Sequence, residues 1–166
     1  MDSNAIRAEL PRLRRYARAL IGDQAAADDL VQDTLERAWS RLAQYRIGHN
    51  FRGWLFSIMH NLRMDQFRRN ELPTSSVDEE DFEMPTRATQ SDRLEVSDLD
   101  AALAQLPDEQ RAVLLLVALE EMSYDEVART LNIPLGTVMS RLARGRERLR
   151  LTLGRPKPTM NLRVVR

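Results

Sequence analysis

The sequence SYDEVARTLNIPLGTVMSRLARGRERLRL, residues 123–151, contains two short helical patterns separated by a tight turn. Ser123 and Glu126 have the spacing of a capping box, in which each side chain bonds the backbone amide of the other residue. Asn132 tolerates the left-handed conformation that ends a helix, and Pro134 suits the turn that follows. Apolar residues at the right spacing would pack the two helices together: Val127, Ala128, Leu131, Ile133 and Val138. The stretch therefore predicts a helix-turn-helix.

The second helix of this motif is basic and begins with small polar residues. Between residues 141 and 157 the chain has seven basic residues and one acid. In a helix-turn-helix, the start of the second helix reaches base edges in the major groove, and arginines neutralise phosphates. The candidate contacts are Thr137, Ser140, Arg141, Arg144, Arg146 and Arg148. The alternative is a solvated helix in a bundle, but cap, turn and charge together favour DNA binding.

Upstream of this motif, apolar residues recur in steps of three and four, which predicts further helices. These cover about residues 6–21, 24–43, 51–69, 94–106 and 111–121. Trp54, Leu55, Ile58 and Leu62 form the predicted core face of the third helix, and Leu99 belongs to the apolar pattern of the fourth. Only 5% of the residues are aromatic and six are Gly, which opposes an all-β fold. The predicted fold class is all-α.

Charge is segregated along the chain although the formal net charge is zero. Residues 1–70 carry net +4, residues 71–110 net −10, and residues 111–166 net +6. Two basic blocks joined by an acidic one predict two modules that each bind a polyanion. The predicted organisation is a helical domain over 1–70, an acidic flexible linker over 71–93, a helix-turn-helix domain over 94–153, and a loose tail over 154–166.

Composition also excludes several classes of site. The chain has no Cys, so it has no disulfide and no thiolate metal site, and its two histidines, His49 and His60, cannot by themselves make a metal centre. The start lacks the pattern of a secretory signal, and the longest apolar run, residues 112–119, is too short to span a bilayer. We expect a cytoplasmic protein with no cofactor, no metal and no membrane contact.

A second motif is polar rather than basic. Asp29, Gln32, Asp33 and Glu36 fall on one face of the second helix. Carboxylates so placed suit a solvated face, a docking face for a protein, or acid–base chemistry. No histidine or nucleophile lies nearby in the sequence to support catalysis, and spacing alone leaves the first two interpretations open.

A third motif interleaves aromatic and basic residues over 51–69. Aromatic rings stack on unpaired bases and arginines neutralise phosphates, so this pattern is typical of contacts to single-stranded nucleic acid. Trp54 is on the core face and is expected to be structural. The candidates for contact in this helix are Phe56, His60, Asn61 and Arg63.

Three segments in this order resemble the extracytoplasmic-function (ECF) subfamily of bacterial sigma factors, which have only regions 2 and 4. The segments are DDLVQDTLERAW at 28–39, FRGWLFSIMHNLRMDQFRR at 51–69, and LPDEQRAVLLLVALEEMSYDEVARTLNIPLGTVMSRLARGRERL at 106–149. The resemblance implies two small helical domains, a region 2 bundle and a region 4 helix-turn-helix, and a protein that is not an enzyme. It also implies binding to core RNA polymerase through the β′ clamp helices and the β flap, to promoter DNA, and to an anti-sigma factor.

The resemblance further assigns roles to individual residues. The polar face of residues 29–36 matches the helix that docks on the β′ clamp helices. The loop over 44–51 matches the segment that captures a flipped base of the −10 element, and the basic end of the third helix flanks that element. The implied −10 contacts are Tyr45, Arg46, His49, Asn50, Asn61, Arg63, Arg68 and Arg69. Residues 137–144 match the −35 recognition helix, in which Met139 stands where many relatives have Lys or Arg.

Three alternatives remain open at this point. A two-domain regulator could bind operators through the helix-turn-helix without polymerase, and would not need the polar face of 29–36. A sigma mimic could sequester an anti-sigma factor, although such mimics usually carry a receiver domain. An enzyme could use the carboxylates of Asp28, Asp29 and Asp33. Core binding separates a sigma factor from all three.

Overall fold

The computed structural model describes residues 3–70 and 91–154. The helices, in order, are α1 (Ser3–Ile21), α2 (Gln24–Ser40), α3 (Phe51–Asn70), α4 (Ser91–Ala104), α5 (Asp108–Ala118), α6 (Tyr124–Leu131) and α7 (Leu135–Leu153), with a short 3-10 turn at Leu42–Gln44. No strand occurs in these two ranges, which confirms the all-α prediction.

The linker predicted over 71–93 lies outside the described residues except at its last three positions. These positions belong to α4, which begins at Ser91 rather than near Leu94. The sequence has no proline or glycine between Pro85 and Pro107. No helix-breaking residue therefore separates residues 91–93 from the helical pattern that follows them. The predicted tail also lies outside the described residues, apart from Gly154.

The N-terminal half (α1–α3) is a three-helix bundle, and α1 buries one side of the helix in it. Leu13, Ala17 and Leu20 are buried, together with Tyr16. Asp23 caps α2, because its Oδ2 accepts a hydrogen bond from the amide of Ala26 at 3.1 Å. The second helix ends earlier than the predicted residue 43, since the chain tightens into the 3-10 turn.

The C-terminal half (α4–α7) contains the predicted helix-turn-helix. Ser123 Oγ accepts from the Glu126 amide at 3.1 Å, and the Ser123 amide donates to Glu126 Oε2 at 2.8 Å, which confirms the capping box. Asn132 adopts φ 54° and ψ 51°, the predicted left-handed end of α6. One core assignment is wrong: Leu99 is 42% exposed, because the buried side of α4 runs through Ala102 and Leu103 instead.

The two halves pack directly against each other, which the sequence pattern did not predict. Helix α1 packs on α4 and α5, and α3 packs on α6. A Cβ atom added at Gly53 in α3 would lie 3.2 Å from Thr130 Oγ1 in α6, so the backbone of α3 comes very close to α6. Arg15 and Glu120 form an ion pair of 3.3 Å between the halves. We call this contact region the seam.

Candidate functional site

The four polar side chains predicted on α2 are all exposed on one side of the helix, here called the acidic face: Asp29, Gln32, Asp33 and Glu36. The opposite side of α2 is buried: Ala27, Leu30, Val31, Thr34 and Ala38. Gln32 Nε2 donates to Glu36 Oε1 at 3.3 Å, so these two side chains steady each other. Three carboxylates displayed together in this way suit a basic protein partner.

A cleft between α2 and α3 adjoins the acidic face. Asp33 and Glu36 line it from α2, and Asp65 and Arg69 line it from α3. Trp39 follows Glu36 by one turn and is 59% exposed. Tryptophan is enriched at protein interfaces and among the residues that carry most of their binding energy. Trp39 was not among the predicted contacts. Its exposure could have been predicted, because in the sequence it lies outside the apolar stripe of α2.

The loop before α3 is held in shape by aromatic packing. The ring centroid of Tyr45 lies 5.2 Å from those of both Phe51 and Trp54. The Tyr45 hydroxyl donates to the backbone oxygen of His49. Asn50 Oδ1 accepts from the Gly53 amide at 3.1 Å and so caps the start of α3. Among the predicted −10 contacts, Tyr45 and Asn50 therefore make bonds that shape the loop.

The exposed surface of this loop comes from its remaining residues. Arg46 and His49 are exposed, and Ile47 between them is 86% exposed. Gly48 has φ 103°, a conformation that favours glycine. Ile47 was not predicted as a contact, and a branched apolar side chain held this far into solvent is a further candidate for contact with a base or a protein.

One assignment on α3 needs correction. Phe56 was predicted as a nucleic-acid contact, but it is 1% exposed and packs edge-on against Tyr16 with the ring centroids 5.0 Å apart. The predicted core face is otherwise confirmed, since Leu55 and Ile58 are buried and Trp54 and Leu62 pack against the core. Trp54 also belongs to the aromatic cluster of the loop. The buried side of α3 is wider than the predicted face, because the helix also packs on the C-terminal half.

The remaining predicted contacts of α3 divide between solvent and the seam. Asn61, Arg68 and Arg69 are exposed. Arg63 is not free, because its Nε lies 3.2 Å from Asp108 Oδ2 in α5 and its guanidinium covers the ring of Phe67 at 4.4 Å. His60 is half-buried in the electrostatic field of Arg141, Asp108 and Glu109 from the other half.

The environment of His60 predicts a pH dependence of stability. Burial lowers the pKa of His60, and the positive charge of Arg141 lowers this pKa further. The carboxylates of Asp108 and Glu109 have the opposite, smaller effect and raise it. Between the folded pKa and the ordinary value of about 6.5, the unfolded chain binds more protons. The stabilisation from neutral His60 is therefore full above about pH 6.5 and is lost as the pH falls through the folded pKa. We expect the free energy of unfolding to decline below that pH.

Urea unfolding measured from about pH 5 to pH 8 tests this expectation. His60→Gln should flatten the decline, since glutamine does not titrate. The exposed His49, changed to glutamine, is the matched control and should leave the decline as it is in the unchanged protein. Equal declines in all three proteins would show that another group is responsible.

Helix α7 has the division expected of a recognition helix. It buries Val138, Leu142 and Gly145, and Gly145 allows the side chain and backbone of Gln110 in α5 to approach within 3.5 Å of its Cβ position. Its predicted DNA contacts Met139, Ser140, Arg144, Arg146 and Arg148 are exposed, and Thr137 is half-buried. Ser140, Arg144, Arg146 and Arg148 expose hydroxyl and guanidinium groups, so this surface suits a polyanion.

Arg141 is the exception among these predicted contacts. Its side chain is 25% exposed and its Nη2 lies 3.5 Å from Glu109 Oε2. It also faces His60 across the seam. In this arrangement the side chain is turned toward α5 and α3 rather than fully toward solvent.

Two kinds of site are absent from the part of the chain that the structure describes. Residues 3–70 and 91–154 contain no group of three or more His, Asp or Glu placed to hold a metal ion. Within the same ranges, none of the helices has the length and apolarity needed to cross a membrane.

Comparison with protein families identifies both halves. The family described as the Sigma2 domain of PhyR matches residues 6–60, and Sigma-70, region 4 matches residues 97–149. The ECF RNA polymerase sigma factor EcfG of Rhodopseudomonas palustris is 35% identical over 145 residues, which cover 87% of this chain and 80% of that protein. SigE of Mycolicibacterium smegmatis is 38% identical over 152 residues, covering 87% of this chain and 58% of that longer protein.

Solved structures agree with these relatives. The sigma factor RpoE of Bartonella quintana, in complex with the anti-sigma factor NepR, matches with a TM-score of 0.80 and 31% identity over 93% of this chain and 97% of that one. CnrH, in complex with the cytosolic domain of CnrY, matches with a TM-score of 0.70 and 27% identity over 93% and 88%. Since similarity at this level extends over both halves of the chain, the protein belongs to the ECF subfamily of RNA polymerase sigma factors.

Proposed function

We propose that the protein binds core RNA polymerase and directs it to a class of promoters. The acidic face on α2 docks on the β′ clamp helices, the loop over 44–51 and α3 read the −10 element, and α7 reads the −35 element. The observation that carries this proposal is the pairing of an exposed acidic face with an exposed basic recognition helix in one chain of this family. Domain boundaries at 1–70 and at 94–153, the second extended back to Ser91 where α4 begins, are part of the proposal.

An anti-sigma factor is the expected regulator. RpoE and CnrH, which share the fold of this chain over both halves, were each solved with a partner of their own, and NepR is an anti-sigma factor. A sigma mimic remains the second candidate, because the family that matches residues 6–60 is described from PhyR. A mimic would bind an anti-sigma factor but would not support transcription.

Core-dependent abortive transcription from a promoter library tests the proposal. The purified chain should give transcripts only with core polymerase, whereas an operator-binding regulator or a mimic would give none. Asp33→Ala with Glu36→Ala should weaken core binding by about tenfold or more, since both carboxylates are exposed on the docking face. A fluorescence titration of core with labelled protein measures this affinity.

The matched control removes the same charge elsewhere. Asp100→Ala with Asp125→Ala changes two exposed acids in α4 and α6, far from α2 in the sequence, and should keep core affinity. Equal affinity for the two double variants would remove the acidic face from the proposed core contact.

A further inference from the structure

Helix α7 has a row of exposed apolar side chains near its N-terminal end. Leu135 and Met139 lie one turn apart, and they are 43% and 52% exposed. Ala143, one turn further along, is also exposed. The buried side of the helix is formed by other residues, Val138 and Leu142 among them, so these three side chains are not part of the core. We call Leu135, Met139 and Ala143 the apolar row.

A second exposed row, formed by Gly136, Ser140 and Arg144, lies beside the apolar row. Gly136 is inside the helix, so a left-handed φ does not explain this glycine. A Cβ atom added there would meet nothing within 4 Å, so packing within the described part of the chain does not require a glycine either. Glycine favours a helix less than alanine does, but it lets another molecule approach the backbone closely. The start of α7 therefore leaves room for such an approach.

The charge around the apolar row indicates what kind of molecule fits it. Arg144 borders the row, and Arg146 follows Ala143 by three positions on the same side of the helix. A molecule that covers the row must therefore present an apolar group next to negative charge. B-form DNA has this combination, because phosphates line a major groove into which the C5 methyl group of thymine projects. The groove is about 12 Å wide and admits an α-helix.

Thymine is the base that the apolar row can recognise. Its C5 methyl is the apolar group that base pairs present in the major groove, where the other groups are hydrogen-bond donors and acceptors. An apolar side chain over those polar groups would remove them from water without replacing their hydrogen bonds. Leu135 and Met139 are about 6 Å apart along the helix, close to two base-pair steps of about 3.4 Å each. The two side chains can therefore cover methyl groups at neighbouring positions.

We propose that Leu135 and Met139 recognise a thymine methyl group in the −35 element, and that Gly136 lets the backbone of α7 come close to the bases. This inference rests on the proposed function, in which α7 reads that element. Ser140 and Arg144, in the neighbouring row, contact polar groups of the bases and the phosphates. The preference for an A·T pair comes from apolar contact rather than from a hydrogen bond.

Removal of the methyl group alone tests this preference. Core polymerase carrying the protein first selects promoters from a library randomised over the −35 element. Each thymine of the selected element, in either strand, is then replaced in turn by deoxyuridine, which lacks only the C5 methyl group. At one or two positions the replacement should weaken promoter affinity about fourfold, the effect of exposing one buried methyl group. Competition between labelled and unlabelled duplexes measures this affinity.

Leu135→Ala with Met139→Ala should weaken promoter affinity and abolish the response to deoxyuridine. Leu151→Ala with Leu153→Ala is the matched control, because these residues are 52% and 46% exposed at the other end of α7. The control should keep the fourfold response, and circular dichroism should show the same helix content in both double variants.

Gly136→Ala tests the close approach of the helix backbone. The added methyl group should weaken promoter affinity by about tenfold, because it occupies space that the bases need. The midpoint of thermal unfolding should not fall, since alanine favours a helix more than glycine does. Promoter affinity equal to that of the parent would overturn the part assigned to Gly136.

Three results would overturn recognition of the methyl group. These are no response to deoxyuridine at any thymine, an unchanged response in Leu135→Ala/Met139→Ala, and a selected element without a fixed A·T pair. If Leu135→Ala/Met139→Ala loses affinity for core polymerase in the absence of DNA, the apolar row binds polymerase and the inference is also wrong. Polymerase that selects promoters but ignores deoxyuridine would leave the proposed function standing. A chain that selects no promoter with core polymerase would overturn both.

Discussion

A Gly53→Cys/Thr130→Cys protein should lose core-dependent transcription on oxidation and recover it on reduction. The Cβ position at Gly53 lies 3.2 Å from Thr130 Oγ1, the side-chain atom that a cysteine at position 130 would replace with sulfur, so the two residues are close enough to be cross-linked. The bond would hold α3 against α6 and keep the helices that we propose to read the −10 and −35 elements, α3 and α7, from separating. We expect transcription to fall by more than about 100-fold, because a locked protein has almost no open fraction.

Reduction is the internal control for this pair, and the chain contains no other cysteine that could interfere. The single variants Gly53→Cys and Thr130→Cys should transcribe equally with and without oxidant. Non-reducing electrophoresis gives the cross-linked fraction, to which the loss of transcript should be proportional. If the fully cross-linked protein transcribes as fast as the same protein after its disulfide is reduced, the closed arrangement can read a promoter.

Replacement of Arg111 by methionine should destabilise the protein by about 3–5 kcal/mol, the range for breaking a buried charge interaction. Arg111 is 8% exposed and its guanidinium reaches the ends of two helices. It donates to the backbone oxygen of Leu20 in α1, and its Nη2 donates to the oxygens of Ala104 at 3.0 Å and Leu106 at 2.7 Å. Carbonyls at helix ends have no partner within their own helix, so methionine would leave them unpaired.

Urea unfolding followed by circular dichroism measures this loss through the midpoint and the slope. Arg129→Met is the matched control, since Arg129 is exposed on α6, and it should change stability by less than about 0.5 kcal/mol. Arg111→Lys keeps the charge but offers a single nitrogen, so its stability should lie between those of the unchanged protein and Arg111→Met. A loss below about 1 kcal/mol for Arg111→Met would show that water replaces the guanidinium at these carbonyls.

Much of the helical architecture could be predicted because its signals are local. The capping box of Ser123 and Glu126 and the left-handed Asn132 each act within one turn of the chain. The exposure of the acidic face followed from the same helical period, which places it opposite the buried stripe of α2. The basic surface of α7 was predicted for the same reason.

The error at Phe56 on α3 has a physical cause. A helical period identifies an apolar stripe, but a helix that packs on two sides has a wider buried surface than one stripe. Phe56 was taken for a surface aromatic, because the full buried surface of α3 could not be read from residues 51–69 alone. The short-range pattern is the same whether one or two neighbours cover the helix.

The sequence by itself determined the helices, their caps, the acidic face and the basic recognition helix, since each depends on residues a few positions apart. Only the tertiary structure decided that the halves close on each other. Arg111 reaches Leu20 across 91 positions, and Arg15 reaches Glu120 across 105. Charged side chains at such separations look like ordinary surface residues in a sequence, because burial and pairing arise only when packing brings distant helices together.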